Sequence, residues 1–144
     1  MGFFDFVKDA GKSLWGSDDA PEDNAKAIEK EVADLGLDGE VKVEVNGDTV
    51  KIAGAAPSQE AREKLILAAG NLKGVAKVEE EIAVAAEEPE AKFHTVEKGD
   101  TLWAVAEKAY GNGSKYQAIF EANKPMLSHP DKIYPGQVLR IPAL

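Results

Sequence analysis

The chain has 144 residues and a mass of 15.4 kDa, a length that suits one ordinary domain or two small ones. Apolar residues make up 44% and charged residues 30%, which argues against global disorder. The net charge of −9 disfavours nucleic-acid binding, because an acidic chain repels phosphate. Since the chain has no cysteine, disulfides, thiolate catalysis and cysteine-ligated zinc or iron–sulfur sites are excluded.

The N-terminal segment, residues 1–21, is apolar in part but does not have the pattern of a secretion signal. Asp5 and Asp9 interrupt its apolar run, and no stretch of the chain approaches the roughly 18 apolar residues that span a membrane. We therefore expect a cytoplasmic protein without membrane insertion. Its apolar spacing predicts an amphipathic helix, or two short ones with the first ending at Gly11, docked on the protein's own core. The apolar positions are Phe3, Phe4, Phe6, Val7, Ala10, Leu14 and Trp15.

Residues 22–86 predict the element order α-β-β-α-β. A first helix over residues 24–35 carries an apolar face, and alternating valines around the Asn46-Gly47 pair predict a β-hairpin. Ser58 is the expected N-cap of a second helix. A last strand follows, in which Glu79, Glu80 and Glu81 are expected around an exposed edge.

Charge changes sign near residues 87–91, an acidic segment with a proline that we predict to be a linker. Residues 92–144 carry seven basic and five acidic residues, a net charge of +2. Their pattern predicts β-α-α-β. Asp100 or Thr101 is the expected cap of the first helix, and residues 138–142 form the last strand.

These residues carry two family resemblances, which imply an α+β fold of two small domains. Residues 22–86 resemble a BON domain through their element order, the hairpin that closes at Gly54 and the run 71–78 before the last strand. Residues 92–144 closely resemble a LysM domain. The motifs are Val96-x-x-Gly99-Asp100-Thr101-Leu102, Ala122-Asn123 and Pro135-Gly136-Gln137-x-Leu139-x-Ile141-Pro142.

The pairing of these domains after the N-terminal segment resembles the cytoplasmic bacterial family of BON–LysM potassium-binding proteins. The resemblance implies a potassium sensor with a role in osmotic stress, and it leaves open whether rubidium, caesium or ammonium also binds. A monomer is the default expectation. Proteins select potassium with carbonyl oxygens, and carbonyls are left free at helix C-termini, where the dipole is negative. Two such ends, before Gly11 and at Gly70, could converge on one ion, or each could be a simple helix cap. On this basis the expected ligands are backbone carbonyls of Val7, Ala10, Lys12, Gly70, Leu72 and Val75.

Glycan binding is the alternative function, because LysM domains usually bind polymers that contain N-acetylglucosamine, such as peptidoglycan. The family's groove lies between two loops, one after the first strand of the domain and one before its last strand. Its residues here are Gly99, Asp100, Thr101 and Leu102, then Ile133, Tyr134 and Pro135. An enzyme is disfavoured, because no nucleophile elbow, phosphate loop or metal-ligand spacing occurs, and His94 and His129 are the only histidines.

Overall fold

The computed structural model describes residues 2–7, 11, 21–37, 39–85 and 91–142. The predicted linker residues 87–90 and two of the predicted ligands, Ala10 and Lys12, lie outside them. The elements are β1 (Gly2–Asp5), α1 (Pro21–Asp34), β2 (Glu40–Asn46), β3 (Thr49–Ala56), α2 (Gln59–Gly70), β4 (Lys77–Val84), β5 (Lys92–Thr95), α3 (Leu102–Tyr110), a 3-10 turn (Gly113–Lys115), α4 (Tyr116–Ala122) and β6 (Val138–Ile141).

The first half of the chain forms a four-stranded sheet in the order β1-β4-β3-β2, with α1 and α2 packed against it. β2 and β3 form the predicted antiparallel hairpin, and β3 and β4 run parallel because α2 crosses between them. Ser58 caps α2 by accepting the Ala61 N–H at 3.1 Å. The predicted order α-β-β-α-β is therefore confirmed.

The predicted N-terminal helix is wrong at Gly2–Asp5, which form strand β1. Phe3 pairs with Glu79 and Phe4 with Val78 in an antiparallel ladder on β4. Successive strand residues point to opposite faces, so Phe4 packs inward while Phe3 is 58% exposed. The helical spacing was misleading because two aromatic residues also suit a strand, and the partner edge of β4 lies far away in the sequence.

The expected exposed edge around Glu79–Glu81 is also wrong, because β1 and β3 flank β4 on both sides. Glu80 is only 1% exposed and accepts hydrogen bonds from the Arg62 guanidinium and, at 3.0 Å, from the Ile82 N–H. Burial of the Glu80 carboxyl opposes ionisation, yet these hydrogen bonds hold its pKa below the ordinary value of 4.5.

The second half of the chain forms the predicted β-α-α-β unit. β5 and β6 pair antiparallel, and Thr101 caps α3 by accepting the Ala104 N–H at 3.1 Å. Its core is separate and consists of Val96, Leu102, Val105, Ala106, Ile119, Phe120, Leu127, Leu139 and Ile141.

The two halves pack against each other. Val138 of β6 belongs to the core of the four-stranded half, and Met126 packs on that core as well. Phe4 of β1 meets Phe93 of β5 edge-on, with ring centroids 5.3 Å apart. Among the helices of the described residues, none has the length and apolar character needed to cross a membrane.

The buried pair of Glu80 and Arg62 yields a first prediction. Glu80→Gln should lower the free energy of unfolding at pH 7 by about 2 kcal/mol, because it removes charge-assisted hydrogen bonds from a buried site. Glu81→Gln, on the exposed face of the same strand, should change it by less than about 0.5 kcal/mol. Urea denaturation of both variants measures the difference.

The pH dependence of that difference has a defined sign. The folded-state pKa of Glu80 is lowered, so its stabilisation is present above the unfolded value of 4.5 and is lost as pH falls through the folded value. The difference in free energy of unfolding between wild type and Glu80→Gln should therefore be constant from pH 7 down to about pH 5 and shrink below that. A gap that widens on acidification would contradict this account.

Candidate functional site

The candidate ion site lies at the C-terminus of α2 and in the α2–β4 loop, residues 71–76. The Asn71 N–H closes the helix on the Leu67 carbonyl at 2.9 Å, and the Val75 N–H then bonds the Leu72 carbonyl at 3.2 Å. The side chains of Leu72 and Val75 are buried and hold the loop on the core. Backbone carbonyls at this helix end carry the negative pole of the helix dipole, which favours a cation.

The N-terminal segment returns to this loop after β1. The Phe6 N–H donates to the Ala76 carbonyl at 2.9 Å, and the Phe6 side chain is buried. Its ring lies so close to Gly70 that a Cβ built on Gly70 would be 2.1 Å from the ring. Gly70 is therefore needed for this packing, and the N-terminal segment contacts the end of α2 at Phe6.

A second close approach follows at Gly11. Its backbone has φ of +96°, and a Cβ built on it would lie 2.4 Å from the Asn71 carbonyl oxygen. Both features favour glycine, because a side chain would strain the backbone and collide with the loop. The N-terminal segment thus touches the end of α2 at two described positions.

Three of the predicted ligands lie at the end of α2 and in the loop after it. A fourth is the residue after Phe6, which docks on that helix end. Gly70, Leu72 and Val75 all belong to the helix end and its loop, and Val7 directly follows the docked Phe6. Because Ala10 and Lys12 lie outside the described residues, the full ligand set stays a prediction. In the described part of the chain, no three His, Cys, Asp or Glu side chains gather as a metal site.

Sequence reasoning missed a third element at the same loop. The Asn71 side chain donates to the Val138 carbonyl at 2.8 Å and accepts the Val138 N–H at 2.8 Å. In the sequence, Asn71 stands out only as the first residue of the run 71–78 before the last strand of the BON resemblance. Its partner lies 67 residues away, and no local pattern indicates such a pair.

A buried ion pair also joins the two halves. Arg140 of β6 donates to one carboxylate oxygen of Glu63 on α2, at 2.9 and 3.2 Å, while the other oxygen accepts the Ala91 N–H at 2.9 Å. The side chains are only 9% and 3% exposed. An unpaired charge would be costly there, so Glu63 and Arg140 favour one relative placement of the two halves.

The loops of the predicted glycan groove begin at neighbouring points. The Val96 N–H bonds the Gln137 carbonyl at 2.8 Å and the Gly136 N–H bonds the Val96 carbonyl at 2.7 Å, so the two loops leave the sheet side by side. Leu102 is buried, and Ile133 packs on the same core as Leu102. Gly99, Thr101 and Pro135 are exposed, and Tyr134 is half-buried.

The pKa values of Asp100 and Tyr134 are shifted in opposite directions. The Glu97 N–H, and then the His94 imidazole at 3.0 Å, stabilise the Asp100 carboxylate and lower its pKa. Asp100 therefore closes the turn, while Thr101 is the helix cap. Burial raises the pKa of the Tyr134 hydroxyl. Tyr134 also lines a cavity of about 240 Å³ with Leu35 and Asn71, so the other half of the protein borders one side of this loop.

An exposed aromatic residue outside the predicted groove was also missed. Trp103 is 55% exposed, and its ring lies over Gly113, where a Cβ would be 2.3 Å from the ring. The Tyr116 ring centroid lies 6.4 Å from that of Trp103. The packing on Gly113 gives Trp103 a structural role.

Comparison with known proteins gives both halves a family. Residues 22–86 match the BON domain family, and residues 94–142 match the LysM domain family. Two relatives share about a third of the chain. The uncharacterized protein YqbP of Bacillus subtilis is 42% identical over 60 residues, 35% of this chain and 27% of that protein. The spore coat assembly protein ExsA of Bacillus cereus is 40% identical over 52 residues, 36% of this chain and 8% of that protein.

One relative matches over nearly its whole length. The potassium binding protein Kbp of Escherichia coli O6:H1 is 45% identical to this chain over 148 residues, and the match covers 99% of both proteins. The order of the BON and LysM domains agrees with the order of the two packed halves. This chain therefore belongs to the family of the potassium binding protein Kbp, with a BON domain followed by a LysM domain.

Proposed function

We propose that this protein is a cytoplasmic potassium-binding protein. The ion would be held by backbone carbonyls where the N-terminal segment meets the end of α2. The observation that carries the proposal is the docking of Phe6 on Gly70 and of Gly11 on Asn71. Carbonyl ligands fit a weakly hydrated monovalent cation, whereas calcium and magnesium prefer carboxylate oxygens.

Ion binding would also stabilise a compact form of the protein. A ligand that binds one conformation shifts the population toward it by its difference in affinity. The ligands would come from segments far apart in the chain, so only the form with the N-terminal segment docked could bind. The output is then a change of shape, and the proposal requires no catalytic step.

Calorimetry of the full chain in potassium-free buffer tests the proposed ligand. Potassium chloride should give a saturable one-site isotherm, because carbonyl oxygens replace the hydration shell of this ion at low cost. Sodium and calcium chlorides at matched ionic strength should give only heats of dilution. A stronger response to calcium than to potassium would contradict the proposal.

Gly11→Ala tests the proposed location. The added methyl group would meet the Asn71 carbonyl and strain a backbone at φ of +96°, so potassium affinity should fall by at least about tenfold. Gly36→Ala is the matched control, because φ there is +70° but nothing lies within 4 Å of the new Cβ. Both variants carry backbone strain, so equal potassium affinity in the two would place the site elsewhere.

A second candidate is binding of peptidoglycan or another N-acetylglucosamine glycan by the LysM domain. The two loops that diverge at Val96 and Gln137 support it. Gly99 and Thr101 in the first loop and Pro135 in the second are exposed. Titration with an N-acetylglucosamine oligomer should then shift the amide resonances of Gly99, Thr101 and Tyr134. Resonances of Lys51 and Glu81 on the far sheet should stay unchanged, and no shift at the three loop residues would reject this candidate.

A further inference from the structure

We infer that Asn71 is a positioning residue that couples cation binding at the α2–β4 loop to docking of the LysM domain. The inference rests on the proposed potassium function and deepens it. It concerns how the ion site and the second domain communicate, and it assigns that role to a single side chain.

The side chain of Asn71 completes an edge of β6. Its amide makes the two 2.8 Å hydrogen bonds with Val138, one donated and one accepted, as a neighbouring peptide group would. Two residues further along the same edge, Asn123 of the LysM domain pairs with the backbone of Arg140 in the same way, at 2.9 and 2.8 Å. The backbone groups of Arg140 on this edge are therefore hydrogen-bonded from within the LysM domain, and those of Val138 are hydrogen-bonded from the BON domain.

The backbone of Asn71 belongs to the ion site. It stands between Gly70 and Leu72, two of the proposed ligands, and its carbonyl is the group that Gly11 approaches. Its φ of −80° and ψ of 50° set both the direction of the side chain and the path of the flanking carbonyls. On the proposed site, the loop conformation that binds the ion would also bring the Asn71 amide to Val138.

The coupling must act in both directions. If the ion stabilises the loop conformation that holds Val138, then docking of the LysM domain must raise ion affinity by the same factor. The Glu63–Arg140 pair holds the interface at a second point, two turns earlier on α2. It contributes to docking but lies outside the loop, whereas Asn71 belongs to the loop and bonds the LysM domain through its side chain.

Hydrogen exchange of two backbone amides in the full-length wild type tests this inference without a mutation. The Val138 N–H is bonded to the BON domain, and the Arg140 N–H on the same edge is bonded within the LysM domain. Saturating potassium should slow exchange of Val138 by about tenfold relative to equal sodium, whereas Arg140 should change by less than about twofold.

Calorimetry of Asn71→Ala supplies the second readout. Loss of both hydrogen bonds should lower potassium affinity by about tenfold and remove the potassium effect on Val138 exchange. Asn46→Ala, at an exposed position of the β2–β3 hairpin, is the control and should behave as wild type.

The outcomes separate the two proposals. If the wild type binds potassium but Val138 exchange is the same in potassium and sodium, the coupling is overturned and the ion site stands. If Asn71→Ala binds potassium as tightly as the wild type, the coupling is likewise overturned. If the wild type gives no potassium isotherm, the proposed function fails and the coupling fails with it.

Discussion

The contact between Phe6 and Gly70 is the interaction on which the rest of the arrangement depends. Glycine at the end of α2 lets an aromatic ring lie directly on the helix backbone, and that ring anchors the N-terminal segment next to the last helical carbonyls. β1 reinforces the anchor by pairing with β4. A helix end that would otherwise face solvent is thereby covered by a second stretch of backbone. The crowding of oxygen atoms expected there is what a cation would relieve.

Charge plays a different part from the one its total suggests. The net charge of −9 is compatible with binding of a cation, but the groups proposed to coordinate that cation are neutral carbonyls. The buried carboxylates of Glu80 and Glu63 are each engaged by an arginine, within the BON domain in one case and across to the LysM domain in the other. Their role is structural, because a buried ion pair mainly penalises arrangements that separate its members.

Local patterns in the sequence were sufficient for the element order after residue 21 and for the Ser58 cap, since these depend on residues a few positions apart. For α3 they left Asp100 and Thr101 as alternatives, and the structure has Thr101 as the cap. β1 was missed because its four residues satisfy two periodicities, and only the β4 edge decides between them. Glu80 could have been found, because it alternates with Val78 and Ile82 on the buried face of β4. Asn71 and Arg140 could not, since their partners lie 67 and 77 residues away and are chosen by the packing of the two domains.

The central claim is that neutral backbone carbonyls at the end of α2 hold the ion. Carbon-13 NMR of the full chain observes those groups directly, because direct coordination polarises a carbonyl and moves its resonance. Addition of potassium, compared with equal sodium, should shift the carbonyl carbons of Gly70, Leu72 and Val75 and leave side-chain carboxylate carbons unchanged. Shifts confined to carboxylate carbons, with those three carbonyls unmoved, would contradict the account.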